Sequence, residues 1–247
     1  MNDTKIISTK DTNMNFYEVT QPTKCSQFIA DNEQQIIKLE LLATNKLTFP
    51  SPSKKSIILH GKYGTGKTEL AKILPGLIEA NRLNNFDAHS FKIEFGGVPH
   101  MSFISCSVDN PKKTLETAMP TSVSFNPSKR HYVILDEIDN LRSDYQKSLK
   151  SFITEYDHVI HIMTTNHIQD VDPGLRSRSH MISFEHPSAE LWMMRCVEIC
   201  EMFSVIPDKG FLKNLIRLSN SDAREIMSGL DEYITFMQPD KTTSQSV

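Results

Sequence analysis

The sequence predicts an α/β fold: a parallel-sheet core flanked by helices, followed by a small three-helix, lid-like domain. Three observations carry this. Short apolar runs near 56–60, 101–105, 131–135, 159–163 and 181–184 alternate with helical patterns, as strands and crossover helices do in a parallel sheet. The first run leads into a glycine-rich string, GKYGTGKT at 61–68, and a helical pattern follows it. Past His186 the strand pattern stops, and three apolar stripes at helical spacing take its place.

Taken in order, residues 1–15 are polar and expected to be loose. A short extended piece over 16–22 precedes a helix whose apolar positions are Phe28, Ile29, Ile36, Ile37, Leu39, Leu41 and Leu42. Residues 48–55, with two prolines and two serines, connect to the first strand. After the glycine-rich string, Ala71, Ile73 and Leu74 continue a helix that Pro75 and Gly76 are expected to break or kink, and a second short piece reaches Leu83. Phe91, Ile93 and Phe95 alternate like a strand. Residues 101–105 read as a buried strand, 111–119 as a helix starting at Asp109 or Asn110, and 131–135 as another strand. Ser143 is the expected cap of a helix in which Tyr145, Leu149, Phe152, Ile153 and Tyr156 share one face. Strands at 159–163 and 181–184 complete the sheet. The three later stripes are Trp192, Cys196, Ile199 and Phe203; then Phe211, Leu212, Leu215 and Ile216; then Ile226, Leu230 and Ile234. The domain plan is a loose start at 1–15, a core at 16–186, a helical domain at 187–237 and a polar tail at 238–247.

Composition narrows the function. The 247 residues are 38% hydrophobic and 23% charged with a net charge of −3, so no bulk basic field is available to hold nucleic acid; any such contact needs a local patch or an assembly. Cys25, Cys106, Cys196 and Cys200 form no CxxC pair, and the last two, four apart on one stripe, read as core filling rather than a metal site. The start lacks the apolar core of a signal peptide and no apolar run approaches 18 residues, so the expected compartment is reducing and intracellular, with no membrane partner.

The string at 61–68 fits GxxxxGK[ST] at every fixed position. Backbone N–H groups and a helix N-terminus converge in such a turn, where negative charge must sit. Gly61, Gly64, Thr65, Gly66, Lys67, Thr68 and the following Glu69 are the candidate nucleotide contacts. A phosphate loop needs carboxylates at the end of a buried strand, and VILDE at 133–137 supplies Asp136 for a magnesium ion and Glu137 to activate water. Asn166, after Thr164 and Thr165, either touches the terminal phosphate or only caps its turn. Arg176 and Arg178 either form solvated ion pairs or point across a subunit boundary at a nucleotide. Arg224, expected in a helix capped by Ser219 or Ser221, sits near the positive end of a helix dipole and needs an anion: Asp222, Glu225 or a phosphate.

GKYGTGKT, VILDE, TTN, SRS before a strand ending in Phe184, and SDAR in the helical segment occur in the order and spacing of AAA+ ATPases. The chain resembles in particular the small ATPase subunits of sliding-clamp loaders, of the replication factor C and phage types, over roughly 16–237. Ser177 and Arg178 look like their serine–arginine finger, and Gln146 sits where they carry a glutamine. The resemblance implies ATP and Mg²⁺ as cofactors, with Lys67 and Thr68 on the β and γ phosphates and Thr68 and Asp136 on the ion. It further implies Asn166 as first sensor, Arg178 acting on a neighbour's ATP, Arg224 as second sensor, Gln146 coupling DNA contact to the catalytic centre, and Lys112 and Lys113 near the DNA backbone. The implied partners are neighbouring AAA+ subunits, in a homo- or hetero-oligomer, together with DNA and a sliding clamp or helicase. The chain departs from the pattern at Ser179, where cysteine is usual, at Gln21, where arginine is frequent, and in ending after the helical segment without a collar domain. Three functions stand open: a clamp-loader-like ATPase, in a compact viral form among others, a helicase loader or replication initiator, and an ATP-binding scaffold without turnover.

Overall fold

A computed structural model describes residues 15–82, 101–107, 116 and 126–238. The chain divides into two compact units, Pro22–Glu185 and a second made of Met1–Gln21 with His186–Val247.

The larger unit is built on five parallel strands: β1 (Ser56–Gly61), β2 (Met101–Ser105), β3 (His131–Asp136), β4 (Val159–Thr165) and β5 (Ser179–Phe184), in the order β2-β3-β4-β1-β5. Side chains alternate between the two faces of the sheet. Ile57, Leu59, Ile134, Ile160 and Ile162 join one apolar cluster, while Ile58, Val133, Leu135, Val159 and Met163 join the other. The helices α2 (Glu33–Ala43) and α3 (Lys67–Arg82) contribute to the first cluster; α4 (Ser143–Glu155) and α5 (Pro173–Ser177) contribute to the second. Both faces are covered, which is why the central strands read as continuous apolar runs. β2 is the exception: among the described residues it lies at the sheet's edge with one neighbour, only its Ile104 is buried, and Phe103 is 43% exposed. The buried strand expected there is an edge strand.

Several local expectations are corrected. Residues Phe16–Thr20 form a helix, α1, not an extended piece, because Asn15 caps the Tyr17 amide while Glu18 reaches back to the Asn15 amide. Phe28 and Ile29 precede α2, which Asn32 caps, and Ile37 and Leu41 face outward. α3 runs unbroken through Pro75 to Arg82. A proline inside a helix costs about 3 kcal/mol, whereas burying each of Leu70, Leu74 and Ile78 returns about 1.5–3 kcal/mol. Packing outweighs the lost backbone bond. Within the same helix Glu79 is fully buried and accepts from the Ser128 amide (2.8 Å), the Ser128 hydroxyl (2.6 Å) and the Tyr132 hydroxyl (2.8 Å), which fixes the segment before β3. In α4 the cap position is Arg142, with Ser143 the first helical residue, and the inward line is Gln146, Leu149 and Ile153. The strand expected around Phe91–Phe95 and, apart from Glu116, the helix expected over 111–119 lie outside the described residues, as do Lys112 and Lys113.

The second unit holds α1 and three helices that follow the stripes: α6 (Ala189–Met202), α7 (Lys209–Leu218) and α8 (Ala223–Met237). Ser188, Asp208 and Asp222 cap them. The cap of α8 is thus Asp222, not Ser219 or Ser221. At Gly229 an added Cβ would come within 2.5 Å of the Leu215 side chain, so glycine lets α8 approach α7 closely. Cys196 and Cys200 are buried, and burial pushes the Cys196 thiol up to about 12, which makes it an inert core residue. Among the described residues no helix is long and apolar enough to cross a membrane.

His180 on β5 gives the larger unit a pH-dependent stability. Burial and the nearby Lys54 and Lys38 hold its imidazole neutral down to about 4, below the ordinary 6.5. Lys54 and Lys38 donate to the carbonyls of Ser179 and Met181 on either side of it, and Phe49 packs edge-on against the ring. Between those two values the unfolded chain takes up a proton that the folded chain refuses, so stability present above pH 6.5 is lost as pH falls toward 4. Denaturant midpoints measured from pH 7 to 4 are expected to fall more steeply for the natural protein than for His180→Asn; equal slopes would contradict this origin.

Candidate active site

Parallel register brings the carboxyl ends of three strands together. Leu59 of β1 pairs with Thr164 of β4, and Leu135 of β3 with Met163, so the segments that leave β1, β3 and β4 emerge side by side. In open α/β sheets this edge is where ligands bind. The loop after β1 needs glycine for defined reasons. Gly61 has φ 133°, and a Cβ there would lie 1.9 Å from the Phe184 carbonyl oxygen of β5. Gly64 and Gly66 also have positive φ, at 67° and 83°, and the Phe28 ring lies 3.4 Å from where a Gly66 Cβ would stand. The loop therefore curls tightly into the N-terminus of α3, where the first N–H groups have no helical partner.

Lys67 is 6% exposed; its ammonium donates to the Lys62 carbonyl and, at 3.3 Å, to the Thr65 hydroxyl, so it braces the loop from inside. Thr65 in turn donates to the Lys62 carbonyl at 2.9 Å. Thr68, one residue into α3, donates its hydroxyl to Asp136 Oδ1 at 2.8 Å, across 68 residues of sequence. Glu69 instead pairs with Lys72 at 2.7 Å along the helix. Asp136 ends β3, and Glu137 follows in the left-handed region at φ 58°, ψ 53°, with its carboxylate 3.3 Å from the Asn140 amide nitrogen. Left-handed backbone at a non-glycine residue marks a segment its surroundings hold in place.

Mg²⁺ takes oxygen ligands and is held by one or two carboxylates plus substrate phosphates rather than by an all-protein cage. The Thr68 hydroxyl and the Asp136 carboxylate, already in contact, are that kind of partial donor set, so these residues fit the ion.

The other sequence candidates fall into distinct places. Asn166 follows β4 and is half-buried, and its side chain makes no hydrogen bond to another described residue; the hydroxyl that bonds the next amide is that of Thr165, at 2.9 Å from His167 N. Gln146 is 3% exposed and its amide is spent on backbone: Nε2 donates to Leu141 O (2.9 Å) and Asp170 O (3.2 Å), and Oε1 accepts from Asp172 N (2.6 Å). It staples the turn after Glu137 to the turn after Asn166 and to the start of α5. Arg178 lies just before β5 and donates to the Thr154 hydroxyl (3.0 Å) and the Gly174 carbonyl (3.2 Å), beside a cavity of about 280 Å³ that also touches Lys55 and Ile153. Ser56 pairs with Ser179 and Gly61 with Phe184, so Arg178 stands at the amino end of the sheet. Five strand steps of about 3.3 Å separate Ser179 from Phe184, so Arg178, one residue further back, stands at least roughly 16 Å from its own phosphate loop. Arg224 belongs to the second unit, in the first turn of α8, where its amide bonds Asp222 Oδ1 at 2.8 Å. Sequence reasoning missed Thr164: its hydroxyl lies 2.6 Å from Asp136 Oδ1 and 3.0 Å from Glu137 N.

A phosphate-cradling loop at the carboxyl edge of a parallel sheet, with a threonine–aspartate pair beside it, defines a P-loop nucleotide-binding protein. The family model described as "ATPase family associated with various cellular activities (AAA)" matches residues 57–186, more than half of the chain, and the chain belongs to that family. Similar proteins include the sliding-clamp-loader large subunit of Escherichia phage RB69, 31% identical over 191 residues, which cover 72% of this chain and 53% of that protein. Replication factor C subunit 3 of Oryza sativa subsp. japonica is 25% identical over 198 residues, covering 77% of this chain and 50% of that protein. The replication factor C large subunit of Pyrococcus horikoshii is 21% identical over 221 residues, covering 88% and 42%. The chain thus spans about half the length of these relatives. Among solved structures, the Thermotoga maritima RuvB Holliday junction branch migration motor is similar in fold, with a TM-score of 0.62 at 17% identity, over 87% of this chain and 64% of that one.

Proposed function

We propose that this chain is a clamp-loader-type ATPase subunit that hydrolyses ATP at a subunit interface to load a partner onto DNA. The observation that carries the reading is the Thr68–Asp136 contact, which ties the helix that follows the glycine loop to the acidic end of β3 on one edge of the sheet. In this reading the 61–68 loop and Lys67 hold the β and γ phosphates, Thr68 and Asp136 hold Mg²⁺, and Glu137 takes a proton from the attacking water. Bound Mg²⁺ would offset charge developing on the phosphoryl oxygens. Asn166, with an uncommitted amide, contacts the terminal phosphate or the water. Arg178 cannot span roughly 16 Å to its own loop, so it completes the site of a neighbouring subunit, leaving Thr154 and Gly174 to do so. Arg224 senses the nucleotide from the helical domain, and Gln146 transmits contact with DNA by moving the two turns it ties. Lys112 and Lys113 are the candidate contacts to the DNA backbone.

The names of the relatives support a replication role over a scaffold without turnover. The test is ATP hydrolysis measured with primed DNA, with and without a sliding clamp, and separately with a replicative helicase. Stimulation that needs both DNA and clamp is expected. Stimulation by the helicase instead would replace this reading with a helicase loader, and no hydrolysis under any condition would leave the scaffold.

A further inference from the structure

We propose that Thr164 is a positioning residue that aims the two adjacent carboxylates of the site; the proposal rests on the ATPase reading above. Its hydroxyl has one hydrogen and must face two partners. The Glu137 amide, 3.0 Å away, can only donate, so Thr164 Oγ1 accepts there. The hydrogen therefore goes to Asp136 Oδ1, at 2.6 Å. Thr68 donates to the same oxygen at 2.8 Å, so two hydroxyls claim Oδ1 while Oδ2 takes no hydrogen bond from a described residue. The result is a directed chain: Glu137 N–H to Thr164, Thr164 O–H to Asp136, with Thr68 O–H closing on the same atom.

The two hydroxyls differ in freedom. Thr164 is 2% exposed at the end of the central strand β4, paired in register beside β1, and bonded to backbone on one side. Thr68 is half-buried, and Asp136 Oδ1 is the one partner its hydroxyl has among the described residues. Thr68 is thus the hydroxyl that turns to the ion, and Thr164 the one that stays and keeps Oδ2 presented. Through the Glu137 amide it also holds the left-handed turn, so one hydroxyl sets the direction of the ion-binding acid and of the water-activating acid together. Groups that orient a metal-binding carboxylate change metal affinity or activity by about 10- to 100-fold when removed.

The test compares the natural protein with Thr164→Val, which keeps shape and removes the hydroxyl, and Thr164→Ser, which keeps the hydroxyl. ATP binding is titrated against Mg²⁺ and also measured in EDTA, and kcat is measured at saturating Mg²⁺ and ATP. Thr164→Val is expected to need about 10-fold more Mg²⁺ for half-maximal binding and to lose 10- to 100-fold in kcat. Its ATP affinity in EDTA should be unchanged, and Thr164→Ser should recover both quantities to within about threefold. An unchanged Mg²⁺ requirement in Thr164→Val overturns the proposal. So does an equal loss of affinity in EDTA, which marks a structural role, or a Thr164→Ser protein that binds Mg²⁺ no better than Thr164→Val. If the natural protein binds ATP with Mg²⁺ but does not hydrolyse it, the ATPase reading fails while the Mg²⁺ titration still decides Thr164. If it shows no Mg²⁺-dependent ATP binding, both fail.

Discussion

The Glu137→Gln protein is expected to bind ATP about as tightly as the natural one and to hydrolyse it at least about 100-fold more slowly, the range a positioned general base supplies. In the proposed reading the change removes the proton acceptor but little else. Glutamine has the same size, its carbonyl can still accept from Asn140, and the backbone bond from residue 137 to Thr164 does not involve the side chain. A single-turnover assay with saturating ATP separates the outcomes: bound ATP that persists supports the assignment, and turnover within about threefold of the natural rate removes Glu137 from it.

Lys67→Ala is expected to act one step earlier. In the proposed reading the buried ammonium serves both the loop and the nucleotide: it holds Lys62 and Thr65, and it lies within the 61–68 loop that would take the phosphates. A hydrogen bond to a charged group contributes roughly 1.5–3 kcal/mol, so its loss corresponds to about 10- to 100-fold weaker ATP binding. Calorimetric titration with ATP and Mg²⁺ measures this directly. Affinity retained in a well-folded Lys67→Ala protein would mean that the loop's backbone N–H groups suffice alone, and the lysine would then be a brace only.

Much of the larger unit was legible because parallel buried strands carry no competing signal. Ile57, Ile58 and Leu59 are apolar whichever face they meet, and the GKYGTGKT string and the DE pair are local in sequence. The three stripes after His186 were legible for the same reason, since helical spacing is itself local. What escaped depends on neighbours that no short window contains. Phe103 looks like a core residue until β2 is found at the edge of the sheet. Pro75 looks like a helix break until the burial of Leu70, Leu74 and Ile78 is counted against it. Thr164 looks like any strand-ending threonine; only register against β1 and β3 places its hydroxyl between Asp136 and Glu137. The capping box of α1 differs in kind, since Asn15 and Glu18 stand three residues apart and its signal is local.

The placement of Arg178 at the amino end of the sheet and of the 61–68 loop at the carboxyl end has a consequence for symmetry. A contact that joins the arginine of one chain to the loop of the next uses two different surfaces, and is therefore head-to-tail rather than self-complementary. Such a contact gives any assembly a direction. An open arc of n subunits completes n − 1 sites, leaving one loop without an arginine at one end and one arginine without a loop at the other. Closing the ring, or capping it with a chain of another kind, is then what decides whether the last site can fire.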